Sequence, residues 1–388
     1  MSANENWPIC TIGELCDFGS GNGFTPQDWD TVGLPIIRIQ NLNGSQVFNY
    51  FKGEPEPSWI VEPGELLFAW AGVKGVSFGP TIWSGPQGVL NQHIYRIQPR
   101  NGISPQWLYY ALAEVTSEIE AKAHGFKTSL VHVRKSDITR AKVALPPFNE
   151  QLEVAQILVE WDFLIDKTER LIAAKRRRQE ILTTKLYILS NREGMPARFG
   201  SVLAESSVSG ASGRHAKKLS IKLYGKGVVA KDEKRVGSEQ TQYFVRRAGQ
   251  LVYSKLDFLN GAFGIVPSEL DGYESTLDLP AFDIAPGVDP GWLLGYLTRP
   301  AYYTRQVGLA RGQRKARRIH PSDLLASSLH VPPLDLQQRI AEVLKAMQDD
   351  IEISTRLLAA CKKQKRGLMQ KLLTGQWRLP VEINGGAP

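Results

Sequence analysis

Leu145-Pro146-Pro147-Phe148-Asn149-Glu150-Gln151 returns 186 residues later as Val331-Pro332-Pro333-Leu334-Asp335-Leu336-Gln337. From there the match runs without a gap to about residue 189 in the first copy and 375 in the second. Identical pairs include Ala155/Ala341, Leu158/Leu344, Ile165/Ile351, Arg170/Arg356, Leu171/Leu357, Lys185/Lys371 and Leu186/Leu372. Upstream, Ser136-Asp137-Ile138 faces Ser322-Asp323-Leu324 in the same register. A duplicated half-molecule is the simple explanation, and it limits the chain to folds that can be built twice.

Both copies read as helices. The Pro-Pro pair blocks an earlier start, which leaves Asn149 and Asp335 as the expected N-caps, with Gln338 completing a capping box on Asp335. Apolar or small residues then recur every three or four positions: Val154, Leu158, Trp161, Ile165, Thr168, Ile172, Leu182 and Leu186 in the first copy. The second copy answers with Ile340, Leu344, Met347, Ile351, Ser354, Leu358, Cys361, Leu368 and Leu372. That spacing is a coiled-coil seam, interrupted by Lys175 and Gln179. Gly194 and Gly375, with Pro196 and Pro380 beyond, supply stop signals. Each helix covers about 40 residues and spans ~60 Å. A rod of that length with one apolar edge needs a partner, and the matching seam makes the other copy the natural one.

The segments ahead of the helices are different material. Leu34–Ile39 and Tyr243–Val245 are short runs rich in β-branched and aromatic residues, and Gly, Pro and Asn punctuate the surrounding sequence. Short helices are expected at Pro105–Ala123 and Pro290–Thr304. The reading is an α+β chain: a mixed α/β domain at 1–145, a helix at 146–190, a second such domain at 191–331, a second helix at 332–375 and a tail at 376–388. The two helices form an antiparallel coiled coil, and the whole carries an internal pseudo-two-fold repeat. A chain of 388 residues, 42% hydrophobic and 22% charged, suits two or three cores better than one. No stretch approaches the ~18 uninterrupted apolar residues of a membrane span. Cys10, Cys16 and Cys361 lack zinc-site spacing and read as free thiols, which with the unremarkable N-terminus implies a cytoplasmic location. The net charge of +8 favours an anionic partner, nucleic acid first.

Domain, long helix, domain, long helix: this order resembles the specificity subunits of Type I restriction–modification systems. The duplicated Pro-Pro-x-x-x-Gln helix starts carry the likeness, as does the closing Arg366–Gly375. So do Gly33–Leu42, Val61–Phe68 and Leu90–Tyr95, with Ala248–Tyr253 taking the place of Pro63–Phe68 in the second domain. The resemblance implies two target-recognition domains, each reading one half of a bipartite site in double-stranded DNA. The helices would act as spacer and as docking surface for two methylation subunits, which nuclease/translocase subunits would join. It also implies a non-catalytic chain without a cofactor of its own, S-adenosylmethionine and ATP being used by the partner subunits.

Two motifs invite an enzymatic reading. Asp17–Gly23 fits a glycine-rich loop for S-adenosylmethionine, but only a weak apolar run precedes it and Phe24-Thr25-Pro26 starts no good helix, so it reads as a surface loop. Leu145-Pro146-Pro147-Phe148 resembles the amino-binding motif of adenine methyltransferases without its polar acceptor, because Leu145 and Val331 occupy that place. The alternatives are thus an adenine methyltransferase-like enzyme and a basic coiled-coil scaffold without sequence specificity.

Basic clusters free of local acids mark the expected DNA contacts, since phosphate neutralisation supplies most of the affinity. Between Tyr302 and Ser322 stand Arg305, Arg311, Arg314, Lys315, Arg317 and Arg318 with no acid. The counterpart ahead of the first helix contains Lys122, Lys127, Arg134 and Lys135, with His124 and His132. Lys217 and Lys218, near Lys222, form a further cluster. Arg176-Arg177-Arg178 reads as a solvated helix face. The six His show no metal-ligand spacing.

Overall fold

The computed structural model describes residues 7–73, 76–122, 130–232, 238–312 and 317–379. The protein is α+β, with a central helix at Phe148–Glu193 and a C-terminal helix at Leu334–Leu373. It divides into two compact units, Met1–Glu169 with Leu357–Pro388, and Arg170–Arg356, so each unit contains a stretch of both long helices.

In the first unit an antiparallel sheet runs in the order Cys16–Ser20, Ile94–Pro99, Leu66–Ala69, Gly79–Ile82. Helix Pro105–Lys122 buries Trp107, Leu108, Ala111, Leu112 and Val115, one apolar stripe at helical spacing. These residues share a core with Leu66 and Phe68 of the sheet, with Val154 and Leu158 of the central helix, and with Leu372 and Leu373 of the C-terminal helix. A second sheet of five short strands includes a parallel pair, Leu34–Ile37 beside Gly88–Leu90. The strand pair Ile9–Thr11 and Lys142–Ala144 leads into the central helix.

In the second unit the corresponding sheet runs Leu203–Ser206, Ala281–Ile284, Leu251–Tyr253, Phe263–Ile265. Leu251–Tyr253 holds the place that Leu66–Ala69 holds in the first unit, as the likeness of Ala248–Tyr253 to Pro63–Phe68 anticipated. Met195–Arg198 pairs with Ser328–Val331 ahead of the C-terminal helix. The outer part differs: a three-stranded sheet and the hairpin Leu219–Ile221/Val228–Ala230.

Both helices begin two residues earlier than the N-cap pattern indicates. The Pro147 carbonyl accepts from the Gln151 N–H at 2.9 Å and the Pro333 carbonyl from the Gln337 N–H at 3.1 Å, so the second proline is the cap. A proline there sacrifices nothing, because the donor it lacks has no partner in a first turn. Asn149 and Asp335 lie inside the helix, and Asp335 pairs with Arg339 at 2.6 Å rather than forming a capping box. What holds each start is the glutamine. Gln151, 1% exposed, accepts from the Ser104 N–H at 2.8 Å and donates to the carbonyls of Gly102 (3.1 Å) and Pro146 (3.0 Å). Gln337, fully buried, accepts from the Asp289 N–H at 2.8 Å and donates to Gly287 (3.2 Å) and Pro332 (2.8 Å).

The seam residues turn inward. Val154, Leu158, Ile172, Ile340 and Ile351 are buried, and Trp161, Ile165, Leu182, Leu344, Met347, Leu358 and Leu368 are partly so. In the first unit Asp162 pairs with Lys365 and Glu169 with Lys362 (2.6 Å). In the second, Lys175 donates to Asp350 at 2.7 Å and to Ser354 Oγ at 2.9 Å, while Gln179 donates to Gln348 at 3.3 Å. Within either unit, residue numbers rise along one helix as they fall along its neighbour. Lys175 and Gln179, which looked like interruptions of the seam, are matched across it.

Three local expectations change. The Pro290–Thr304 helix is broken into Pro290–Leu297, Pro300–Tyr303 and a 3-10 turn, because Pro300 cannot donate into a helix already under way. The glycine-rich stretch is not a surface loop: its first half is the sheet strand Cys16–Ser20. The stop at Gly194 works through space rather than through a left-handed backbone, since an added Cβ would lie 2.8 Å from the Ser190 carbonyl. Gly375 does adopt φ +69, and Pro380 lies outside the described residues.

Candidate nucleic-acid interface

In the first unit the basic segment ahead of the central helix meets a group of aromatic rings. Lys135 Nζ donates to the Phe18 carbonyl at 3.1 Å and lies over the rings of Phe18 and Tyr95, at 5.6 and 5.7 Å. Tyr95 stacks on Trp70 at 6.1 Å between ring centres. His93 and His132 flank the same indole at 5.3 and 6.1 Å. The Trp70 indole N–H is committed to the Gln92 carbonyl at 3.0 Å. Trp70, His93 and Tyr95 are half-buried and His132 is exposed. Flat π-faces beside a cation are the usual equipment for contacting bases. Arg134 is exposed and precedes the short helix Lys135–Thr139. Lys122 ends helix Pro105–Lys122, and Lys127 lies outside the described residues.

In the second unit tertiary structure sorts the described basic residues into exposed and ion-paired. Arg311 pairs with Asp323, and Arg318 with Asp278 at 3.3 Å. Their own backbones close a two-residue bridge through hydrogen bonds of 2.9 and 2.8 Å. The acid-free run between Tyr302 and Ser322 is therefore not acid-free in space. Arg317 is exposed, and Arg314 and Lys315 lie outside the described residues. Lys217 is exposed, but Lys218 is 4% exposed and lies against the Tyr243 ring at 5.4 Å. That burial leaves Lys217 as the exposed member of the pair. Arg176, Arg177 and Arg178 are exposed, as a solvated helix face requires.

The enzymatic motifs take structural roles. Strand Cys16–Ser20 is antiparallel to its neighbour, and the turn after it leads to the 3-10 segment Pro26–Asp28, so the parallel strand and helix of a nucleotide loop are missing there. A Cβ on Gly21 would sit 2.2 Å from the Leu90 carbonyl. The glycine permits two backbones to cross, with the Asn22 N–H donating to Leu90 at 2.8 Å. Leu145-Pro146-Pro147 forms the helix start, its Pro146 carbonyl already taken by Gln151. Among the described residues no three His, Cys, Asp or Glu side chains gather as a metal site, and no helix is long and apolar enough to cross a membrane.

Sequence reasoning found the basic residues and missed the rings beside them. Trp70, His93 and Tyr95 sit at no distinctive spacing, and only the position of Asn91–Tyr95 within a recognised stretch pointed there.

Residues 4–174 match the family described as Type I restriction modification DNA specificity domain. The chain is 24% identical over 408 residues to the Type I restriction enzyme MjaVIII specificity subunit of Methanocaldococcus jannaschii, covering 97% of this chain and 94% of the relative. It is 22% identical over 409 residues to the putative MjaX specificity subunit of the same organism, with the same coverage. The solved S subunit of a Type I restriction–modification system from M. genitalium shares the fold, with a TM-score of 0.57 at 15% identity over 96% of this chain and 97% of that one. Through its matched first domain and its end-to-end likeness to these subunits, the chain is similar to Type I restriction–modification specificity subunits.

Proposed function

We propose that this chain is the DNA-specificity subunit of a Type I restriction–modification complex, built as a pseudo-two-fold repeat of target-recognition domain and spacer helix. Residues 1–145 and 191–331 each read one half of a bipartite site. The spacer helices run as an antiparallel coiled coil, fix the gap between the half-sites and dock two methylation subunits, which nuclease/translocase subunits join. The central helix, 46 residues and ~70 Å long, is of the size a spacer needs. The chain itself catalyses nothing; S-adenosylmethionine and ATP are used by the partner subunits. Arg134, Lys135, Lys217, Arg311, Arg317 and Arg318, with Lys122, Lys127, Arg314 and Lys315, supply phosphate contacts beside the base-reading surfaces.

The observation that supports this reading best is the doubled anchor. Two glutamines 186 residues apart make the same three hydrogen bonds, each fastening a long helix to its own α/β domain. A chain that repeats its fastening while varying what it fastens is suited to presenting two different readers on one frame. The test is an exchange: residues 1–145 are replaced by the first domain of a related subunit, and the complex with its methylation subunits is assayed by methylation-site sequencing. One half-site should change and the other persist. Simultaneous change of both, or no bipartite motif at all, would overturn the reading.

A further inference from the structure

The hairpin between Leu219–Ile221 and Val228–Ala230 closes through a turn whose central residues are Tyr224 and Gly225, at φ +59 and +66. Positive φ at both positions is the signature of a primed turn, whose first position belongs by preference to Asn, Asp or Gly. Tyrosine there is an anomaly: a bulky Cβ-bearing side chain pays steric strain in the left-handed region. Among the described residues it is the one non-glycine with positive φ.

The surroundings hold the backbone in that state. The Tyr224 N–H donates to the Asn260 carbonyl at 2.9 Å and the Gly225 N–H to the Gly261 carbonyl at 2.8 Å. Lys222 N–H donates to Gly227 at 2.9 Å, which carries the hairpin ladder to the base of the turn. The side chain gains little in return: its phenol lies near enough to Tyr303 to help burial raise that group's pKa, without a bond between them. Tyr224 is 62% exposed, and its phenol makes no hydrogen bond or ring stack among the described residues. Strain that packing does not reward points to a role outside the folded chain.

The electrostatic setting names the partner. No acid lies between Glu205 and Asp232 in sequence, and Lys222 and Lys226, both exposed, stand two residues either side of the tyrosine. A two-stranded ribbon has the cross-section of the DNA major groove. We infer that this hairpin is the base-reading element of the second unit: it enters the major groove of one half-site, Lys222 and Lys226 take the flanking phosphates, and Tyr224 contacts base edges at the tip. The inference rests on the specificity-subunit reading and adds to it a residue and an element.

Tyr224→Gly separates function from folding, because glycine accepts φ +59 without strain and keeps both backbone hydrogen bonds. The complex of full-length chain and methylation subunits is prepared as wild type, Y224G and K222A/K226A, and the wild-type motif is found by methylation-site sequencing. Y224G should melt no lower than wild type, bind a duplex carrying that motif roughly ten-fold more weakly, and relax the motif in one half-site only. K222A/K226A should keep the motif and lower the salt dependence of binding. Wild-type affinity and an unchanged motif in Y224G would overturn the inference alone. A wild-type complex without a bipartite motif would overturn the specificity reading and the inference with it.

Discussion

At the first helix start, the Gln151 carboxamide joins Ser104, Gly102 and Pro146; at the second, Gln337 joins Asp289, Gly287 and Pro332, at distances within 0.2 Å of their counterparts. The surfaces outside these anchors have little in common. The first unit carries a five-stranded sheet and the Trp70–Tyr95 ring group; the second carries a three-stranded sheet and the Tyr224 hairpin. Buried polar anchors tolerate little change, because a stranded carboxamide or backbone N–H inside the protein costs about 1–3 kcal/mol per group. Exposed surface has no such constraint, so the two units are free to differ there.

The largest test of this contrast is at the anchors. Gln151→Leu and Gln337→Leu each strand a buried N–H and two carbonyls, and each should destabilise the full chain by about 3 kcal/mol, read from urea denaturation. Near-equal losses would sharpen the comparison, whereas one neutral substitution would show that the two starts are alike in geometry only. Next in size is the ring group. Trp70→Leu should weaken binding of the assembled complex to its own site roughly ten-fold and relax only the half-site read by the first unit. A motif unchanged in both halves would remove the rings from the reader. The smallest effect separates exposed from ion-paired cations. Arg317→Ala should reduce the slope of log affinity against log salt by up to ~0.9, while Arg311→Ala, whose charge is already met by Asp323, should change it less. Equal changes would mean that the ion pair opens on DNA.

The ends of the chain extend the comparison. In the second unit the central helix continues through Gly194 into strand Met195–Arg198. In the first, Arg378 lies over the Trp7 ring at 4.6 Å and pairs with buried Glu150 at 3.1 Å, while a Cβ on Gly375 would lie 2.9 Å from that ring. Noncovalent contact of Trp7 with Arg378 does there what a peptide link does in the other unit.

The sequence by itself determined the features that depend on near neighbours. Helix periodicity, the seam at Val154, Leu158, Ile340 and Ile351, the strands at Leu34–Ile37 and Gln242–Val245 and the 186-residue duplication could all be read along the chain. The reason is that side-chain direction follows backbone period, so burial leaves its mark in local order. Tertiary structure decided everything that pairs groups far apart in sequence. Gln151 finds its partners among residues 102–104 and Gln337 among residues 287–289. Arg318 is neutralised by Asp278, forty residues back, and Lys218 is covered by Tyr243. Charge, burial and ring contact depend on distance in space, and strand order sets that distance: the pairing of Cys16–Ser20 with Ile94–Pro99 is what brings Phe18 beside Tyr95. A basic residue is therefore legible in sequence, but whether its charge is still available to a phosphate is not.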